Sequence, residues 1–117
     1  MSKPLRVLIV DDSQGDAELL MRELRCGGYA PTFERVETAS AMKMMLENHA
    51  WDIVLADHSM PYFSAIGALT QLQLCGLDLP FIIVSGSIGE GNAVASMKAG
   101  AHDYVMKDDL ARLVPAI

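Results

Sequence analysis

The sequence predicts an α/β fold, an open doubly wound sheet of five parallel strands with helices on both faces. Three observations carry that prediction. Short apolar runs recur along the chain, at 5–10, 52–57 and 81–85, with weaker ones at 32–36 and 102–106. Strands this uniformly apolar are covered on both faces, as in parallel sheets. Segments with helical spacing separate the runs, and βαβα alternation places the crossover helices on both sides of such a sheet. The 117 residues hold five βα units, where a closed barrel needs eight.

The first strand, 5–10, reads Leu-Arg-Val-Leu-Ile-Val and is broken by Asp11-Asp12-Ser13. Ser13 is a candidate N-cap, with Asp16 three residues on. Ala17, Leu20, Met21 and Leu24 then repeat at helical spacing up to the glycine exit Gly27-Gly28. The stretch 32–36 alternates weakly and predicts a more exposed strand. A helix over 39–49 turns Met42, Met45 and Leu46 inward. The strand 52–57 ends in an acid, Asp57, and a loop through Met60-Pro61 leads to a helix over 64–74. The fourth strand is 81–85, followed by a glycine-rich loop and a helix over 92–99 that Gly100 closes. The fifth strand is 102–106, and a last helix begins at Asp109 and holds Pro115. A proline there interrupts the hydrogen-bond ladder.

Composition bounds the function. With 51% hydrophobic and 21% charged residues the chain is globular, and its length fits one domain, 1–117. A net charge of −6 argues against nucleic acid or an anionic membrane as a direct partner, since both reward a basic face. No apolar run approaches the roughly 20 residues of a membrane span. The start does not resemble a signal peptide, so a cytoplasmic protein is expected. Cys26 and Cys75 have no metal-ligand spacing and read as buried helical thiols in a reducing compartment.

The strand ends carry polar residues that a core does not need. Asp11 and Asp12 follow the first strand, Asp57 ends the third, Ser85 the fourth, and Lys107 follows the fifth. In an open α/β sheet the ligand site lies beyond the carboxyl ends of the strands, which gathers these residues at one edge. Any one acid could merely cap a helix or start a turn; acids with a facing lysine and hydroxyl need another explanation. Carboxylates about 5 Å apart repel by roughly 3 kcal/mol per pair at an effective dielectric near 20. Either one is protonated or a cation sits among them. Carboxylate and carbonyl oxygens suit Mg²⁺, which keeps open positions for phosphoryl oxygens. In such a site Lys107 neutralises a phosphoryl oxygen, Ser85 donates to another, and Asp57 is the nucleophile that forms an aspartyl phosphate.

These pieces resemble the receiver domain of bacterial two-component response regulators over essentially the full chain. The matching motifs are Val10-Asp11-Asp12, the run 52–57 with Met60-Pro61, Ile83-Val84-Ser85-Gly86, Ala99-Gly100-Ala101-His102-Asp103-Tyr104 and Met106-Lys107. The resemblance implies the flavodoxin-like strand order 2-1-3-4-5. It implies that Asp57 is the phosphoacceptor and that Asp11, Asp12, Asp57 and the Ser59 backbone carbonyl hold Mg²⁺. Ser85 and Lys107 match the family's switch hydroxyl and phosphate-binding lysine, and Tyr104 its aromatic switch position. The implied phosphodonor is a sensor histidine kinase or a phosphotransfer protein. The implied output face, also the one for a homodimer, is the fourth helix, fifth strand and fifth helix, toward a downstream effector that the sequence does not identify. Ala65 replaces a usual glycine and Asp108 a usual proline. Receivers that it resembles carry a longer last helix, and with the Leu-Val-Pro-Ala-Ile ending the resemblance implies a module cut from a longer polypeptide, the alternative being a stand-alone single-domain regulator.

Three other function classes share parts of this pattern. A Mg²⁺-dependent phosphatase with an aspartyl intermediate places a second acid two residues after the nucleophile, where this chain has Ser59. A receiver-like binding module that signals without phosphate would not need the acids, Ser85 and Lys107, all of which are present. A flavodoxin-type carrier shares the topology, but the acidic first loop repels a flavin phosphate. The remaining residues read plainly: His58 as a loop residue, His49 and His102 as helix-end and strand residues, the methionines as core filler, and Trp51 as packing at a helix–strand junction.

Overall fold

The computed structural model describes residues 3–57, 65–76, 79–85, 100–101 and 103–106. Eight elements run along them: β1 (Lys3–Val10), α1 (Gln14–Cys26), β2 (Tyr29–Val36), α2 (Ala39–Asn48), β3 (Ile53–Asp57), α3 (Ala65–Leu74), β4 (Phe81–Ser85) and β5 (Asp103–Met106). The strands form one parallel sheet in the order β2-β1-β3-β4-β5. The expected helices over 92–99 and 109–117, the Met60-Pro61 loop and the glycine-rich loop after β4 lie outside the described residues.

The core is two layers divided by the sheet. Leu8, Val10, Val54, Ala56, Phe81 and Ile83 face α2 and α3, packing on Met42, Leu46, Ala68, Leu69 and Leu72. Val7, Ile9, Ile53, Leu55, Ile82 and Val84 face the other way, onto Ala17, Leu20, Met21 and Leu24 of α1. Successive side chains of a strand point to opposite faces, so a strand buried in both layers must be apolar at every position. All five residues of β3 are buried.

Local signals set the element ends. The Ser13 hydroxyl accepts from the Asp16 N–H at 3.3 Å and caps α1. Gly28, at φ 94°, takes the left-handed turn out of α1, and its carbonyl accepts from the Lys3 N–H at 3.0 Å. Thr38 caps α2, and His49 terminates it. The Trp51 indole donates to the Met45 carbonyl at 2.9 Å, so this residue packs at the helix–strand junction as expected. Gly100 has φ 115°, and a Cβ there would lie 3.0 Å from Gln73 Nε2.

The start of β3 is tied to β1. The Arg6 N–H donates to Asp52 Oδ2 at 2.8 Å, the Asp52 N–H returns to the Arg6 carbonyl at 2.8 Å, and the guanidinium lies 3.4 Å from the carboxylate. The Arg6 N–H first, and its guanidinium second, hold the Asp52 carboxyl below the ordinary carboxylate value against a small opposing cost of burial.

Three expectations are corrected. Cys26 is exposed rather than buried, because it falls two residues past Leu24 and off the apolar stripe of α1; Cys75 is half-buried, one residue beyond α3. Met44 is exposed, whereas Met21 and Met42 are core residues. β2 begins at Tyr29 rather than residue 32, drawn into register by its pairing with β1 from Lys3 onward.

Candidate functional site

β1 and β3 are neighbours, and Val10 is in register with Ala56. One residue further along, Asp11 and Asp57 therefore leave adjacent strand ends on the same face of the sheet, the one that carries α1. Both are buried, and Asp12 beside them is exposed. One carboxylate oxygen from each of Asp11, Asp12 and Asp57 lies within 4.8 Å of the others. Among the described residues the topology thus gathers the three acids singled out in the sequence.

The loop that carries Asp11 and Asp12 is held from three sides. The Asp11 N–H donates to the Val36 carbonyl at 3.0 Å, extending the β1–β2 ladder past Val10. Asp11 Oδ1 accepts from the Ser13 N–H at 2.9 Å, and the Ser13 carbonyl accepts from the Ala17 N–H at 3.2 Å. Arg35 Nη1 donates to the Asp11 carbonyl at 3.2 Å and pairs with Glu37. Asp11 and Asp12 directly precede the N-cap of α1, the positive end of its dipole.

Like charges at 4.8 Å repel by about 3.5 kcal/mol per pair at an effective dielectric near 20. A hard divalent cation offsets that repulsion. Three carboxylates with one of them open to water fit Mg²⁺, which takes few protein ligands and keeps the rest of its octahedron for water or phosphate. The donor set therefore suits the ion expected from the sequence.

Ser85 ends β4 at the same edge: Asp57 is in register with Val84, the residue before it. Only its backbone belongs to the described residues, and Ser59 and Lys107 lie outside them. Tyr104 sits in β5 opposite Ile83, half-buried and packed against the α2–α3 layer. Sequence reasoning missed Arg35, whose guanidinium reaches a backbone carbonyl through a contact that no motif or periodicity announces.

Residues 7–117 match the family described as response regulator receiver domain. The response regulator MprA of Mycobacterium sp. (strain KMS) is 32% identical over 104 residues, which is 89% of this chain and 44% of that protein. The chain thus spans less than half the length of this relative. The crystal structure of FixJ-N superposes with a TM-score of 0.80 at 26% identity, covering 96% of this chain and 89% of that one. The response regulator Rcp1 in its Mn(2+)-bound form gives 0.74 at 21% identity, over 95% of this chain and 89% of that one. Among the described residues no helix is long and apolar enough to cross a membrane.

Proposed function

The chain belongs to the response regulator receiver domain family of two-component signalling, and we propose that Asp57 accepts a phosphoryl group from the phosphohistidine of a sensor histidine kinase or phosphotransfer protein. The observation that carries this reading is the convergence of Asp57 with Asp11 and Asp12 at the end of a fully buried strand. A carboxylate held on β3 has little freedom to lose when it meets a phosphorus atom. Its oxygen attacks phosphorus in line as the N–P bond breaks, and the bond's electron pair leaves with the imidazole, which takes a proton from solvent.

Asp11, Asp12, Asp57 and the Ser59 carbonyl are the ligands for Mg²⁺ in this proposal, and the ion supplies positive charge to the phosphoryl oxygens. A Mn(2+)-bound relative of the same fold, Rcp1, supports a divalent site. Lys107 and Ser85 meet two phosphoryl oxygens, and Tyr104 follows Ser85. Phosphorylation then shifts a pre-existing equilibrium of the face formed by the fourth helix, β5 and the fifth helix, toward an effector or a second copy. No independent metabolite is turned over: the only chemistry is the domain's own phosphorylation and its reversal by water. The short share of MprA that the chain spans supports a module within a longer protein, and the net charge of −6 supports output by protein contact rather than direct nucleic-acid binding.

Incubation with acetyl phosphate and Mg²⁺, followed by intact mass, tests the proposal. Wild type gains one phosphoryl group, and EDTA or Asp57→Asn prevents it. Equal labelling of Asp57→Asn overturns the assignment.

A further inference from the structure

We propose that Arg35, held by Glu37, is a positioning residue for the Asp11-Asp12 loop and sets how tightly that loop holds a divalent cation. The inference rests on the reading of Asp11, Asp12 and Asp57 as a cation site, and adds to it a residue outside the acids. Arg35 is in register with Ile9, so its side chain rises along the α1 face toward Asp11. The Asp11 N–H donates to the Val36 carbonyl. In a parallel ladder the next rung would bring the Thr38 N–H to the Asp11 carbonyl. Thr38 is the N-cap of α2, where its hydroxyl accepts from the Ala41 N–H at 3.1 Å. Arg35 Nη1 serves the Asp11 carbonyl in its place, at 3.2 Å.

That contact bears on Asp12. In a trans peptide the carbonyl of one residue and the N–H of the next point in opposite directions. Fixing the Asp11 carbonyl on Arg35 therefore fixes the peptide plane from which Asp12 departs. Asp12 is exposed, so its approach to Asp11 and Asp57 depends on its backbone rather than on core packing. Glu37 accepts from the same Nη1 that serves the Asp11 carbonyl, and it balances a positive charge that would otherwise oppose a cation. An exposed ion pair alone contributes little; the link to the carbonyl gives this one a function.

Titration of ¹⁵N-labelled wild type, Arg35→Met and Arg35→Lys with Mg²⁺ in the absence of phosphodonor, read by amide shifts, tests the inference. Partners that orient metal ligands typically change metal affinity by about tenfold or more. Arg35→Met is expected to weaken Mg²⁺ binding about tenfold, and Arg35→Lys to recover part of the loss. Thermal midpoints measured in EDTA separate a merely structural role, which lowers the midpoint and leaves the affinity of the folded protein unchanged. If Arg35→Met does not fold, Arg35→Lys and Glu37→Gln decide: weakened binding in both supports the inference, and wild-type affinity in both overturns it. A saturating wild type with Arg35→Met within twofold overturns this inference alone. A wild type with no saturable response overturns the cation site as well.

Discussion

Replacing Asp57 by Asn should stabilise the metal-free protein. The change keeps the shape of the side chain and removes the two repulsive pairs that residue 57 makes with Asp11 and Asp12. At 4.8 Å each pair costs about 3.5 kcal/mol at an effective dielectric near 20, and about 1 kcal/mol at that of water. The pair with buried Asp11 lies nearer the first value and the pair with exposed Asp12 nearer the second. Counter-ions and the Lys107 cation of the proposed site relieve part of the sum, which leaves a net gain of about 2 kcal/mol at pH 7 in dilute buffer. For a domain of this size that is a rise of about 8 °C in thermal midpoint. Mg²⁺ at a hundredfold excess over its Kd stabilises wild type by about 2.7 kcal/mol. It should do less for Asp57→Asn, so the gap between the two proteins closes. Urea unfolding in EDTA and again in Mg²⁺ measures both effects. An Asp57→Asn variant less stable than wild type in EDTA, or one with an undiminished Mg²⁺ response, would refute the reasoning.

Asp12→Ala should weaken Mg²⁺ binding and phosphorylation together, whereas Lys107→Ala should spare Mg²⁺ binding and impair phosphorylation; calorimetric titration beside intact mass separates the two. Asp52 has a lowered folded-state pKa, so its stabilisation is present above the unfolded value of about 3.9 and is lost as pH falls through the folded value. Asp52→Asn should therefore be less stable than wild type at pH 7, by under about 1 kcal/mol because the pair is exposed, with the difference fading below about pH 4. Urea curves at pH 7 and pH 3 check this, and a difference that grows in acid would contradict it. Beryllofluoride, a stable phosphoryl mimic, should shift amides across residues 90–112 as well as around Asp57; shifts confined to the Asp57 loop would remove the face around Tyr104 as the output surface.

The central strands were the most legible part of the chain. β4 occupies 81–85 as expected, because a continuous apolar run bounded by Pro80 and Gly86 leaves little choice of register. α1 was readable from Ser13 and from the stripe of Ala17, Leu20, Met21 and Leu24, all of them buried. The edge strand was less so. β2 pairs only with β1, alternates between exposed and half-buried positions, and holds Pro31, which an edge tolerates and a single-sequence reading takes as a stop. The acids were legible because strand ends in this topology converge whatever the intervening sequence. Arg35 was not, since its contact is to a backbone carbonyl and depends on where the β1–β2 ladder stops. Cys26 shows the limit of composition: a thiol in a helix is buried only if it falls on the apolar stripe.

The central claim is that Asp57 becomes phosphorylated, and its position can be read chemically. Borohydride reduces an aspartyl phosphate to homoserine, so treatment of the labelled protein followed by peptide sequencing in a mass spectrometer identifies the acceptor. Homoserine at position 57, dependent on both Mg²⁺ and phosphodonor, is the predicted result. Homoserine at Asp11 or Asp12, or a stably labelled protein with aspartate intact at position 57, would contradict it.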